Sequence, residues 1–565
     1  MKKITRLLAL LLVLVFALSA CGTPGSSAES AAEPVASTVQ AEPTEAPPPA
    51  DQPPMEAPSA EEPSAVEPEA PEVEISYPLF DTTQTYTIWL GTAPDLSDVV
   101  SNMEEFVIFR ELEKITNVTW DATMVSFMAE AESFQLMVAG GDYTDVVCKA
   151  VDNYNGTVDQ AIEDEFLIDL APYIPENMPN LTRWFNEYPE LPKQLTSEGG
   201  AIGAFPKIYK EPSDISSGGM IRADWLEDLG LEAPKTYDDM YNVLKEFRDK
   251  KDATAPLVIA MPSGVQSELL AGYNITGGFY QVDGEIRYGA IQPEFKDYLT
   301  MMNKWYTEGL VDELFLTNSY ESLVDMSPVL NGTCGIWYGT AAQAISYMIS
   351  SSADPNMRIT GVTNVTPDGS MAHVGESGSV FDSHLWSVTT VCQDPEVICQ
   401  YIDYVYSEEG TLLANYGVEG ETFTYVDGVP RLTDLVLNNP DYSYGAAMNI
   451  FVCDRMTPAP FVIDEDRVRA DYIQDQLDAI EVWNNSNDGA YNLPRAGINM
   501  SVEESNKYYS LYPDIETTMD ENIVKFIVGD RPLSEFDDFV DTLIGLGIED
   551  CIAVEQAAYD RYMAA

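Results

Sequence analysis

From residue 84 onward, apolar and polar positions alternate in two rhythms. Tyr86, Ile88 and Leu90 interleave with Thr85, Thr87 and Trp89, a period of two that predicts a strand. Met103, Phe106, Phe109, Leu112 and Ile115 then recur at helical spacing through about residue 116. Residues 118–123 predict a second strand. Phe134, Met137 and Val138 predict a helix that stops at Gly140-Gly141, and residues 145–148 predict a third strand. The order βαβαβ implies an α/β fold with a parallel sheet covered on both faces. Ligands of such sheets sit beyond the carboxyl ends of the strands. That places Trp89-Leu90-Gly91 and the loop after Cys148, with Asp152 and Tyr154, near a binding site.

The pattern continues downstream. Tyr237, Met240, Tyr241, Leu244 and Phe247 fall in helical register over residues 236–249, behind an N-cap at Thr236 with acids in the first turn. Gly335-Ile336-Trp337-Tyr338-Gly339 predicts a short strand, and residues 384–391 alternate again. Residues 395–409 predict one helix closed by Gly410.

The amino terminus departs from both rhythms. Lys2, Lys3 and Arg6 precede an apolar run over residues 7–17, which ends in Leu18-Ser19-Ala20-Cys21. A spanning helix needs roughly 20 apolar residues, so this layout predicts a secretory signal over residues 1–20. Its ending resembles a bacterial lipobox, which implies lipidation of Cys21. Residues 22–76 hold twelve Pro and twelve acidic residues and no Lys or Arg. Too little apolar surface is present there to offset ordering entropy, so residues 21–76 are expected to be an anchored, disordered linker.

Composition narrows the function classes. The chain carries 93 acidic and 29 basic residues, a net charge of −64, which argues against nucleic-acid phosphates and anionic lipid surfaces as partners. Beyond Cys21 the cysteines are Cys148, Cys334, Cys392, Cys399, Cys453 and Cys551, with no CxxC pair. Only His373 and His384 occur, too few for a His-rich metal centre, and no metal or cofactor is expected. Neither GxSxG nor HExxH is present.

Several segments carry a family resemblance. They are Leu112-Glu113-Lys114-Ile115-Thr116-Asn117-Val118, residues 134–146 with Ala139-Gly140-Gly141-Asp142-Tyr143-Thr144-Asp145, and residues 221–231 followed by Pro234-Lys235-Thr236. Residues 415–420, Tyr425-Val426-Asp427-Gly428, residues 525–529 and 556–562 continue the series in order. Together they resemble the carbohydrate-type extracellular solute-binding proteins of ABC importers, in the long Gram-positive lipoprotein branch. The resemblance implies a two-lobed periplasmic-binding-protein-like fold with a hinge and an inter-lobe ligand cleft. It implies lobe one at 77–206 plus 374–417 and lobe two at 207–373 plus 418–565. It further implies a monomer, lipid-anchored on the extracellular face of the cytoplasmic membrane, that delivers a carbohydrate to permease subunits. Two departures stand out. The stretch before Pro206 lacks the family's Lys and Tyr, and the family's calcium loop is replaced by Asp249-Lys250-Lys251-Asp252, which cannot supply the six to eight oxygens calcium needs.

Sugars stack their C–H faces on rings and pair their hydroxyls with carboxylates, amides and Arg. Candidate contacts are Trp89, Asp142, Tyr143, Tyr154, Arg222, Asp224, Trp225, Trp337, Tyr338, Glu376 and Trp386. Each also has a structural reading. Trp89, Trp225 and Trp386 suit core packing, Arg222 and Asp224 suit an ion pair, and Asp142 suits a turn. A peptide receptor and a secreted glycan-active enzyme with paired carboxylates remain alternatives; no catalytic residue is assigned.

Overall fold

The computed structural model describes residues 73–94, 96, 99–259, 265–317, 327–494 and 496–564. The signal segment, Cys21 and the linker up to residue 72 lie outside the described residues. Fourteen strands occur among the described residues. The first five are β1 (Gln84–Thr92), β2 (Val118–Ser126), β3 (Val146–Cys148), β4 (Phe205–Tyr209) and β5 (Ser217–Arg222). Then come β6 (Ala255–Val258), β7 (Phe279–Val282), β8 (Glu285–Tyr288), β9 (Cys334–Ala341) and β10 (Ile359–Val362). The last four are β11 (Phe381–Val388), β12 (Phe423–Val426), β13 (Val429–Leu432) and β14 (Val462–Ile463).

Two sheets organise the chain. The first has the order β14-β4-β11-β3-β1-β2, the second β10-β5-β9-β6, and two hairpins pair β7 with β8 and β12 with β13. As the sequence predicts, β1 runs parallel to β2 and β3. The sheet is mixed rather than wholly parallel, because β11 runs antiparallel to both β3 and β4. The chain enters β11 only after completing the second sheet, and so arrives from the opposite end.

Strand periodicity decides what each face buries. Tyr86, Ile88 and Leu90 pack into the main core of the first sheet, whereas Trp89 joins Phe134, Val147 and Phe166 on the other face. In the second sheet Ile336 and Tyr338 face a core with Trp225 and Phe247, while Trp337 faces Met220, Ile359 and Trp483. Covering both faces with large apolar side chains contributes roughly 1.5–3 kcal/mol for each one fully buried.

Helices follow local signals. Thr236 caps Tyr237–Lys250: its hydroxyl accepts from Asp239 N, and the Asp239 carboxylate accepts from Thr236 N, a reciprocal box. Two expectations are corrected. The alternation at 384–391 is displaced, since β11 ends at Val388 and Thr389 already bonds back to Asp145 O. The helix expected over 395–409 is two helices, Pro395–Val405 and Glu408–Tyr416. Ser407 caps the second by accepting from Gly410 N at 3.0 Å, so Gly410 opens a helix instead of closing one.

The expected division at 206/207 falls inside β4, and β14, expected with the second sheet, pairs with β4 of the first. The C-terminal helix Ile548–Ala564 packs beside the long helix Val502–Val528. Arg561, near its end, donates to both Glu504 oxygens, with Nη1 3.0 Å from Oε1, and to Asn499 O at 3.0 Å. Its Nε lies 3.5 Å from Glu198, on the segment that follows helix Glu190–Leu195. Cys148, Cys334, Cys392, Cys399, Cys453 and Cys551 are buried free thiols. No helix of the described residues is long and apolar enough to cross a membrane.

Candidate functional site

Three adjoining cavities form the candidate site, and shared side chains join them. Glu376 borders the first and second, and Asp152 borders the second and third. The first holds about 270 Å³. Its wall is built on the second sheet: Ser217 and Gly218 open β5, Glu268 comes from helix Ser267–Ala271, and Trp483 ends helix Gln474–Asn484. Trp483 is 2% exposed and donates from Nε1 to Gly219 O at 2.9 Å, which fixes its ring. Only glycine fits beneath it, because a Cβ at Gly218 would stand 2.6 Å from the indole.

Amides hold the crossing loop at this cavity. Asn492 donates to Gly375 O at 2.7 Å and accepts from Gly375 N at 3.2 Å, and Asn487 donates to Glu376 O at 3.0 Å. The carboxylate of Glu376 accepts from Ser217 Oγ at 3.1 Å. Glu268 accepts from Gln266, and burial pushes its carboxyl above the ordinary range.

The second cavity, about 500 Å³, draws on both sheets: Tyr209, Asp382 and His384 from the first, Ser216 from the turn into the second, and Arg455 beyond. Asp382 accepts from Tyr209 Oη at 3.0 Å. His384 Nδ1 lies 3.7 Å from Asp152. Behind them Lys207 is buried and donates to the carbonyls of Arg455 and Thr457 at 2.8 and 3.2 Å; burial lowers its pKa. The third cavity, about 660 Å³, has Asp152, Tyr154 and Gln160 on one bank and Val502, Asn506 and Tyr509 on the other. Tyr154 stacks on Phe166 at 5.8 Å and donates to Asp164; burial and that carboxylate raise its pKa to about 12.

The sequence-derived candidates separate into three groups. Tyr154 and Glu376 line the cavities. Tyr143 packs on Phe166 at 4.7 Å, beside Tyr154, and Asp142 is exposed at the turn after helix Glu130–Gly140. The others serve the cores. Trp89 packs edge-on against Phe134, and Trp386 stacks on Phe109 and donates to Pro458 O at 2.7 Å. Trp337 and Tyr338 are buried on opposite faces of β9. Arg222, 0% exposed, is clamped by Asp224 and Asp354 at 2.6 and 2.5 Å and lies 4.5 Å over the Trp225 ring. A buried guanidinium with two carboxylates and an aromatic face is a structural knot, not a free ligand donor.

Sequence reading missed Trp483, Asn487, Asn492, Arg455 and Asp382. They sit in loops or at element ends, without period; the only available signal was the density of Asn between residues 484 and 492. Among the described residues no group of three or more His, Cys, Asp or Glu could hold a metal ion. The arrangement offers the rings of Tyr154 and Tyr509, planar amides and carboxylates along an extended groove, which suits a hydroxyl-rich ligand larger than one ring.

Comparison with known proteins agrees with this architecture. The polygalacturonan/rhamnogalacturonan-binding protein YtcQ of Bacillus subtilis is 27% identical over 328 residues, 55% of this chain and 62% of that protein. The match therefore spans less than two thirds of that relative's length. The fructooligosaccharide ABC transporter substrate-binding protein FusA of Streptococcus pneumoniae is 24% identical over 498 residues, 81% of this chain and 88% of that one. Among solved structures, the alginate-binding protein AlgQ2 without calcium ion superposes with a TM-score of 0.67 at 22% identity, over 85% of this chain and 99% of that one. The fold is thus the two-lobed, periplasmic-binding-protein-like one. Residues 93–412, more than half of the sequence, match the family of bacterial extracellular solute-binding proteins, and the chain belongs to that family.

Proposed function

We propose that the chain captures an oligosaccharide in this groove and hands it, chemically unchanged, to the permease of an ABC importer. In this reading it works as a monomer held by lipid on Cys21 at the extracellular face of the cytoplasmic membrane. The observation that carries the reading is the run of joined cavities bordered by elements of both sheets, with Trp483 at one end, Tyr154 and Tyr509 at the other and Glu376 between. Relatives named for a polysaccharide and for fructooligosaccharides support the ligand class.

The lobes follow the sheets. Lobe one takes 77–209 and 381–463, lobe two 217–362 and 474–565, with the chain crossing at 210–216, 363–380 and 464–473. Closure across these crossings brings the banks onto the ligand, and the permease reads the closed form. Of the sequence-derived contacts, Tyr154 and Glu376 stay as ligand residues, joined by Trp483, Arg455 and Asp382.

A thermal-shift and calorimetric panel of glycans and peptides tests the proposal, since a ligand of the folded state raises its melting temperature. One-to-one binding of a glycan recovered intact is the expected result. Shortened glycan products, or a peptide hit with no glycan hit, would reject it.

A further inference from the structure

We infer that the groove accepts uncharged oligosaccharides and rejects those built from uronic acids. The inference rests on the carbohydrate reading above and specifies its ligand class. Asp152, Glu376 and Asp382 line the cavities, as do Glu268, whose carboxyl pKa is raised by burial, and Asp214, which Arg469 neutralises at 2.8 Å. Against them stand one lining guanidinium, Arg455, and His384.

The partners of these groups matter more than their number. Asp382 accepts only from neutral hydroxyls, Tyr209 at 3.0 Å and Ser383 at 2.8 Å. Glu376 accepts from the hydroxyl of Ser217. Several donors near the wall are committed elsewhere. Lys207 is directed at two backbone carbonyls, and the amides of Asn487 and Asn492 hold the crossing loop. Arg455 donates to Ser216 at 3.3 Å and lies 4.0 Å from Glu465, leaving Nε without a partner, so among the described residues it is the one lining cation that could meet an anion.

Carboxylates only accept hydrogen bonds. Sugar hydroxyls can supply the donors they need, two neighbouring hydroxyls to one carboxylate. A uronate presents a further acceptor carrying the same charge as the wall, and like charges set together in a low-dielectric groove are a strong rejection device. The net charge of −64 adds a long-range field that slows the approach of anions and is screened by salt.

The test titrates the purified protein calorimetrically with neutral fructan, glucan, mannan and galactan tetrasaccharides and with galacturonate and guluronate tetramers, at low and high salt. At low salt the uronates should bind about 100-fold or more weaker than the best neutral ligand, a gap expected for like-charge juxtaposition. Salt and the double variant Glu376→Gln/Asp382→Asn should both narrow it. A uronate that binds as tightly as the best neutral glycan overturns the inference and leaves the carbohydrate reading intact. A gap that neither salt nor the double variant moves also overturns it, because shape alone then selects. Binding of peptides with no glycan bound overturns both.

Discussion

Replacing Arg561 with Met keeps the hydrocarbon stem and removes the charge that ties the C-terminal helix to the start of Val502–Val528. Glu504 is doubly engaged there: it accepts from Ser501 N at 2.8 Å in the helix-capping box and takes both guanidinium nitrogens of Arg561. The Arg561 hydrogen bonds, the largest cause, hold the Glu504 carboxyl at about 2, well below its ordinary 4.5. That depression corresponds to roughly 3 kcal/mol. Arg561 is 36% exposed, so water screens the pair, and part of the depression belongs to Ser501. About 1–2 kcal/mol is left for the pair, in line with charge-assisted hydrogen bonds generally. The sign follows from the depressed value. The contribution is complete above pH 4.5 and fades as pH falls toward 2. Urea unfolding of the wild type, Arg561→Met, Glu504→Gln and the double variant closes a cycle that isolates the pair from the Glu198 and Asn499 contacts. The coupling should be about 1–2 kcal/mol at neutral pH and shrink on acidification. A coupling near zero at neutral pH, or one that acid leaves unchanged, refutes the reasoning.

Burial raises the carboxyl of Asp403 to about 6 and that of Glu555 to about 7, so the folded chain binds their protons more tightly than the unfolded chain. Stability should therefore fall as pH rises from about 4 through 7, and Glu555→Gln should flatten that slope in melting curves. Gly218→Ala pushes a methyl into the Trp483 ring, 2.6 Å away, and should lower glycan affinity more than it lowers stability, read by calorimetry beside thermal melts. Trp483→Phe should weaken binding through loss of ring area and of the Gly219 hydrogen bond, and equal affinity would remove Trp483 from the site. Cys21→Ala should release the protein into the medium with solute affinity unchanged, scored by fractionation and titration.

The βαβαβ opening was legible because each element there is long enough to show its period, and the Thr236 helix because its cap and its apolar stripe agree. Legibility failed where tertiary partners set the limits. β14 has only two residues, too few for any rhythm, and it exists because β4 offers an edge. The helix break at Ser407 was written in Ser407-Glu408-Glu409-Gly410, an N-cap followed by acids, but the apolar stripe ran across it. Tryptophans misled the site reading for a physical reason. A large apolar ring suits a core as well as a sugar face, and Trp89, Trp337 and Trp386 alternate along strands covered on both sides. The groove instead gathers small polar residues from distant loops. Asn487 and Glu376 meet across 111 residues, a juxtaposition only the chain crossings produce.

In the proposed receptor Glu376 lies on one of the crossings, a position that would constrain how occupancy becomes a signal. A side chain near a pivot moves little when two bodies rotate, whereas closure of the banks would bring Tyr154 and Tyr509 together. A contact at Glu376 would then add equally to affinity for the open and closed forms, and a ligand that favours neither form shifts nothing. Short glycans that fill only the Trp483 cavity would then be held without report, competing for the receptor while feeding nothing to the importer. Under this proposal transport would begin at the chain length that first touches both tyrosines, and the groove would act as a ruler.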